Sequence, residues 1–158
     1  MGDLINELLA QLRAITQIQF STVWNNQFEY IKDGGSYSFP MPCSFVEVQS
    51  NNLEQLSMNY QGSDLDITIH IGQNILNSEL LDENLTIFVL RDLVVKSLCN
   101  FKPTTASQMV KISEEQDFDH SNVYHYKITF RTHWIDDTSV NQQYLTTPPI
   151  NPIVTHTP

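Results

Sequence analysis

Basic residues are scarce in this chain. Eight Lys and Arg stand against eighteen Asp and Glu, a formal charge of −10. The eight do not cluster, so the electrostatic footprint of a protein that grips phosphates is missing. A wall that lets DNA pass without holding it is still compatible with that charge. Cysteine is almost absent: Cys43 and Cys99 form neither a metal-ligand spacing nor a disulfide framework. Each sits in an apolar stretch, which suits a small core residue better than a reactive thiol. No apolar run approaches the ~20 residues of a membrane span. The opening "MGDLINELLAQLRAITQ" has no basic start and no small-residue cleavage site, and it carries acids. A soluble chain of the cytoplasm is expected from it. Glycine is rare too, and its one adjacent pair, Gly34-Gly35, is not followed by the Lys-Ser or Lys-Thr of a phosphate loop.

What is present reads as one domain, for which 158 residues supply a sizeable core. Leu4, Ile5, Leu8, Leu9, Leu12 and Ile15 recur at helical spacing behind Asp3, a candidate N-cap. An aromatic and β-branched stretch from Phe20 to Phe39 is broken by Asp33-Gly34-Gly35-Ser36, which predicts a hairpin turn. Pro40 and Pro42 interrupt any ladder ahead of a strand around Phe45 to Val48. In "SDLDITIHIG", Leu65, Ile67, Ile69 and Ile71 alternate with Asp66, Thr68 and His70. This predicts a strand with one buried and one wet face, ended by Gly72. A second helix is expected from about Asp82 to Asn100, with Asp82 and Glu83 favourable to its dipole and Asp92 paired to Lys96. Its polar stripe is narrow, so it should be buried on more than one side. Two more strands follow, near Met109 to Ile112 and near Val123 to Trp134. In the latter Tyr124, Tyr126, Ile128, Phe130 and Trp134 share one face, and His125, Lys127, Thr129, Arg131 and His133 the other. The element order predicts an α+β fold, a mostly antiparallel sheet packed by two main helices, over residues 1–137. Residues 138–158 contain no Asp, Glu, Lys or Arg but four prolines, which predicts an extended proline-rich C-terminal arm.

The stretch "DFDHSNVYHYKITFRTHWID", residues 117–136, holds the densest set of possible ligands. As a calcium loop it fails, because Asn122 stands where Gly is needed and Ile128 where a bidentate Glu is required. His125 and His133 face the same way, but eight strand residues separate them by ~27 Å. Asp117, Asp119 and His120 could serve a metal-dependent enzyme, although one short loop rarely supplies a closed set. The structural alternative is that Asp117, Asp119 and Asn122 cap a tight turn through their own backbone. Glu114 and Glu115, adjacent on a strand, point to opposite faces and cannot act as an acid–base pair. His70 reads as a surface histidine. No nucleophile sits in a strand–turn–helix context. No enzyme and no cofactor are expected.

Three segments, in order, resemble the tail terminator, or head–tail joining, proteins of long-tailed bacteriophages. "FPMPCSFVEVQ" is similar to their proline-led strand, "LTIFVLRDLVVKSLCNFKP" to their central helix, and residues 117–136 to their closing Asp-rich turn and aromatic strand. The resemblance spans roughly residues 3 to 137. It implies a structural virion protein without catalytic residues, a homohexameric ring at the phage neck, assembled in the host cytoplasm. The ring would cap the tail tube protein and meet the connector or stopper protein, with DNA passing through its lumen. The candidate subunit or partner contacts are Leu90, Val94 and Leu98 of the second helix, and Tyr144, Leu145, Ile150, Ile153 and Val154 of the arm. A head-completion or stopper protein, a tube protein and a generic interaction module are the neighbouring alternatives.

Overall fold

The computed structural model describes residues 1–28, 38–57, 60–74, 86–119 and 123–136. Helix α1 spans Gly2–Arg13, and strand β1 Phe20–Val23. Strands β2, Cys43–Ser57, and β3, Tyr60–Asn74, form a long antiparallel pair. Helix α2 spans Thr86–Leu98, and β4, Val110–Asp117, and β5, Val123–Asp136, complete the described elements. The five strands lie in the order β1-β2-β3-β5-β4. Every neighbouring pair is antiparallel except β1 and β2, where Phe20 lies beside Cys43 and Val23 beside Val46. The fold class is therefore α+β, as the element order predicts.

Period decides which face each element buries. Along α1, Leu4, Leu8, Leu9 and Leu12 form the 3.6-residue stripe and are buried; Asp3 lies in the first turn, after the N-cap Met1. An acid there favours the helix dipole without capping the helix by hydrogen bond. Along β3, Leu65, Ile67, Ile69 and Ile71 all point beneath the helices and are fully buried. Ile128, Phe130 and Trp134 of β5 join them, together with Val46 and Met109, in one core. Asn100 ends α2 in the left-handed region, φ 67°, a conformation asparagine adopts more readily than most residues. Its N–H then donates to the Met109 carbonyl at 2.9 Å and turns the chain back toward the sheet.

The second helix corrects two expectations. Leu90, Val94 and Leu98 have no exposed surface, because they fill the space between α2 and the sheet of their own chain. They are not available to another subunit. The apolar surface that α2 offers is Phe88 and Val89. Asp92 is taken by Arg91 at 2.7 Å, not by Lys96. Arg91 also forks onto Glu114 of β4, at 2.8 and 2.7 Å, tying the helix to the edge strand. Glu115, its neighbour, points the other way to Lys127 at 2.8 Å, so the two carboxylates do part across the strand.

The opposite face of the sheet was expected to be wet, and near the β1 end it is not. Phe28, Cys43, Phe45 and Val123 form a second buried cluster there, packed by Phe20, Trp24, Phe39 and Met41. Gly72 does not end β3; it lies within the strand, where the Phe28 ring needs its missing side chain. A Cβ at Gly72 would stand 2.3 Å from Phe28 Cζ and 3.0 Å from Cys43 Sγ. Gly72→Ala should therefore cost about 1–3 kcal/mol in chemical denaturation, the usual effect of overfilling a packed core. A neutral substitution would mean that the ring does not sit there.

The far end of the sheet is formed by β2, β3 and β5, paired out to Gln61 and Asp136. From Gln49 to Ser57 no residue of β2 is buried. Leu53, Leu56 and Tyr60 are exposed near its end, beside Ile135 of β5. The ladder irregularity between Asn51 and Glu54 contains Asn52 at φ 50°, a bulge that strengthens the local twist. The predicted hairpin turn at Asp33–Ser36, the helix start at Asp82 and Glu83, and the arm residues Tyr144, Leu145, Ile150, Ile153 and Val154 lie outside the described residues.

Candidate functional site

Antiparallel pairing of β3 with β5 sets Gly72 beside His125 and His70 beside Lys127. The two histidines are thus diagonal neighbours on the face away from the helices. Both are nearly fully buried, at 3% and 1% exposure. The cause is the aromatic segment after β1, which crosses this face. Trp24 stacks on the His70 ring with centroids 4.0 Å apart and an interplanar angle of 8°. Phe28 meets His125 edge-on at 4.8 Å. The expectation of a surface histidine at position 70 is corrected on this point.

Four side chains from four strands stand in line beneath that cover. Glu47 Oε2 of β2 lies 2.9 Å from His70 Nε2. His70 Nδ1 lies 2.9 Å from His125 Nε2. His125 Nδ1 faces Asp117 Oδ2 of β4 at 3.3 Å. Lys127 closes the set, with its ammonium 3.3 Å from Asp117 and 2.8 Å from Glu115. Burial lowers the pKa of His70, and the hydrogen bond it donates to Glu47 offsets part of that. Burial also works to raise the Asp117 pKa, but the Asp119 N–H, His125 and Lys127 together hold it below the usual carboxylate value. Cys43, next to this cluster, has its thiol pushed up to about 12 by burial. It is a core residue and no nucleophile at neutral pH.

The Asp-rich turn is placed in part. The Asp119 N–H donates to Asp117 Oδ1 at 3.0 Å, the side-chain-to-backbone bond expected of a turn. Asn122 and His120 lie outside the described residues. The other Asp117 oxygen faces His125 and Lys127, so this carboxylate is committed inside the chain. Among the described residues no group of three metal-type side chains converges. His133, which shares the His125 face, pairs instead with Asp64 at 3.3 Å. A recess of about 300 Å³ opens where β1 stops, lined by Met1, Ile5, Val23, Trp24, Glu47 and Ser50 among others. Its carboxylate is the outer end of the histidine line.

Sequence reasoning put His70 and His125 on the solvent side of their strands and missed their partnership. Fifty-five residues separate them, and only the strand register brings them together. One signal was present: the run Trp24, Phe28, Phe39, with no helical period, needs an apolar surface to cover.

No family model matches the chain, and no curated protein matches it. The fold and the histidine line define an α+β domain with two buried histidines between carboxylates, of which Glu47 reaches the surface.

Proposed function

We propose that the chain is a ring-forming structural subunit of the tail-terminator kind, which caps a phage tail tube and joins it to the head–tail connector. The likeness of the three segments is its starting point, and the α+β architecture agrees with what that likeness implies. One observation carries the reading furthest. The far ends of β2 and β3 expose Leu53, Leu56 and Tyr60, and β5 beside them exposes Ile135. A lone folded chain gains nothing by leaving such side chains in water, whereas an assembly subunit uses them as contacts. Charge is the opposing effect. Six copies at −10 carry about −60, which repels DNA from a lumen wall and also pushes subunits apart.

The test has two parts. Gold-labelled antibody against the chain, viewed on tailed particles and detached tails, should mark the head-proximal end of the tail. Label along the whole tube assigns a tube protein instead, and absence of label on any particle removes the virion role. With the purified chain, the fraction in rings by mass photometry should rise as salt is added from low levels, because screening weakens the repulsion. Rings that fall apart with added salt would contradict apolar assembly.

A further inference from the structure

Strand β1 stops early, beside a strand that goes on. The Trp24 N–H closes the β1–β2 ladder on the Val46 carbonyl at 2.9 Å, and the Trp24 ring then stacks over His70. β2 continues to Ser57. Backbone groups alternate sides along a strand, so Val48 and Ser50 turn their N–H and C=O toward the line that β1 has left. Among the described residues no strand lies beside them there, and no backbone bond is made to them from that side. We propose that this vacant edge, with the recess of about 300 Å³ that adjoins it, is a binding slot for an extended segment of a partner protein, one that alternates an apolar residue with a lysine or arginine.

The two sides of the slot dictate that alternation. On the helix side lie Val46 and Val48, continuous with the core, and Ile5 of α1. Met1 and Val23 stand at the mouth, 40% and 44% exposed. An apolar side chain on an added strand removes this surface from water. On the other side stand Trp24 and Glu47. The half-exposed Glu47 accepts the His70 Nε2–H through Oε2 at 2.9 Å, which leaves Oε1 open among the described residues. A carboxylate beside an indole, with no cation lining the recess, matches the charged head and apolar stem of lysine or arginine. The edge from Glu47 to Ser50 has room for about four strand residues, or ~13 Å.

Charge selects the occupant. The chain carries −10, so a basic segment is drawn toward it and an acidic one turned away. Residues 138–158 contain no Lys or Arg, so the chain's own arm cannot supply the cation. A second copy has little to offer. Of the eight basic residues, Arg91, Lys111, Lys127 and Arg131 are ion-paired within the chain, and Arg13 donates to the Ser21 carbonyl. The outer strand β4 differs from this edge. It carries Lys111, Glu114 and Glu115, charges that discourage the addition of a strand. The slot does not depend on the ring reading.

The experiment is a titration of the ¹⁵N-labelled full chain with a short acetylated, amidated peptide of alternating valine and lysine, followed by amide NMR. At about 1 mM peptide, shifts and slowed hydrogen exchange are expected at Val48 and Ser50, with a shift of the Trp24 indole N–H. The same peptide with glutamate in place of lysine should not bind. Nor should the fully N-methylated peptide, which has no backbone N–H left to donate to β2. Glu47→Gln should weaken binding about tenfold, the loss of one charge-assisted contact, and flatten its salt dependence. Should Glu47→Gln fail to fold, the lysine and glutamate peptides supply the same comparison on the unaltered chain. Equal binding of those two peptides, shifts centred on β4, or no change at Val48 and Ser50 would overturn the slot.

Discussion

Phe45→Ala should destabilise the chain by about 3–5 kcal/mol, as much as truncation anywhere beneath the helices. Phe45 is fully buried on the face away from both helices. Phe28 meets it edge-on at 5.3 Å, Phe39 at 5.2 Å and Phe20 at 6.2 Å, and Trp24 tilts against it at 5.7 Å. Edge-to-face pairs add about 0.5–1.5 kcal/mol each beyond area burial, so four partners make this ring the hub of the second cluster. Its loss would also loosen the cover of the histidine pair. In the Phe45→Ala protein the ring-current shift that Trp24 imposes on His70 should shrink along with stability, in one NMR spectrum and one urea titration. A loss below about 1 kcal/mol would mean that water reaches this face and that the cluster is not formed.

Leu90→Ala should cost about 2–5 kcal/mol, and the cost should be the same at every protein concentration. The side chain is fully buried between α2 and the sheet of its own chain, so its removal leaves a cavity in the folded monomer. Were Leu90 a contact between subunits, truncation would leave the unfolding of the isolated chain unchanged and weaken assembly alone. The contrasting substitution is Val89→Ser. Val89 is 53% exposed, and stability there should move by no more than about 0.5 kcal/mol. Any effect of Val89→Ser on assembly then reads the outer face of α2 directly. The pair of variants separates a helix that builds the monomer from one that joins monomers.

The sequence by itself determined the elements and the faces that period controls. Leu4, Leu8 and Leu12 had to share one side of a helix, and Leu65, Ile67, Ile69 and Ile71 one side of a strand. Chain geometry repeats every 3.6 residues in the first case and every two in the second. The two helices and the opposite facing of Glu114 and Glu115 follow from that local rule, the antiparallel majority of the sheet from the order of elements, and the core character of Cys43 from its apolar stretch.

Only the tertiary structure decided what covers each face. Period says that His70 and Ile69 point apart; it does not say that Trp24 and Phe28 will arrive to bury the side His70 occupies. The apolar breadth of α2 was legible, but whether Leu90, Val94 and Leu98 met their own sheet or another chain was not, because a stripe has the same composition in either setting. Register set the remainder. Placing Gly72 beside His125 brings two histidines from distant parts of the chain to 2.9 Å and aligns them between Glu47 and Asp117. Such a line is a sum of pairings between strands, each satisfied only when the whole sheet forms, and no local pattern of residues encodes it.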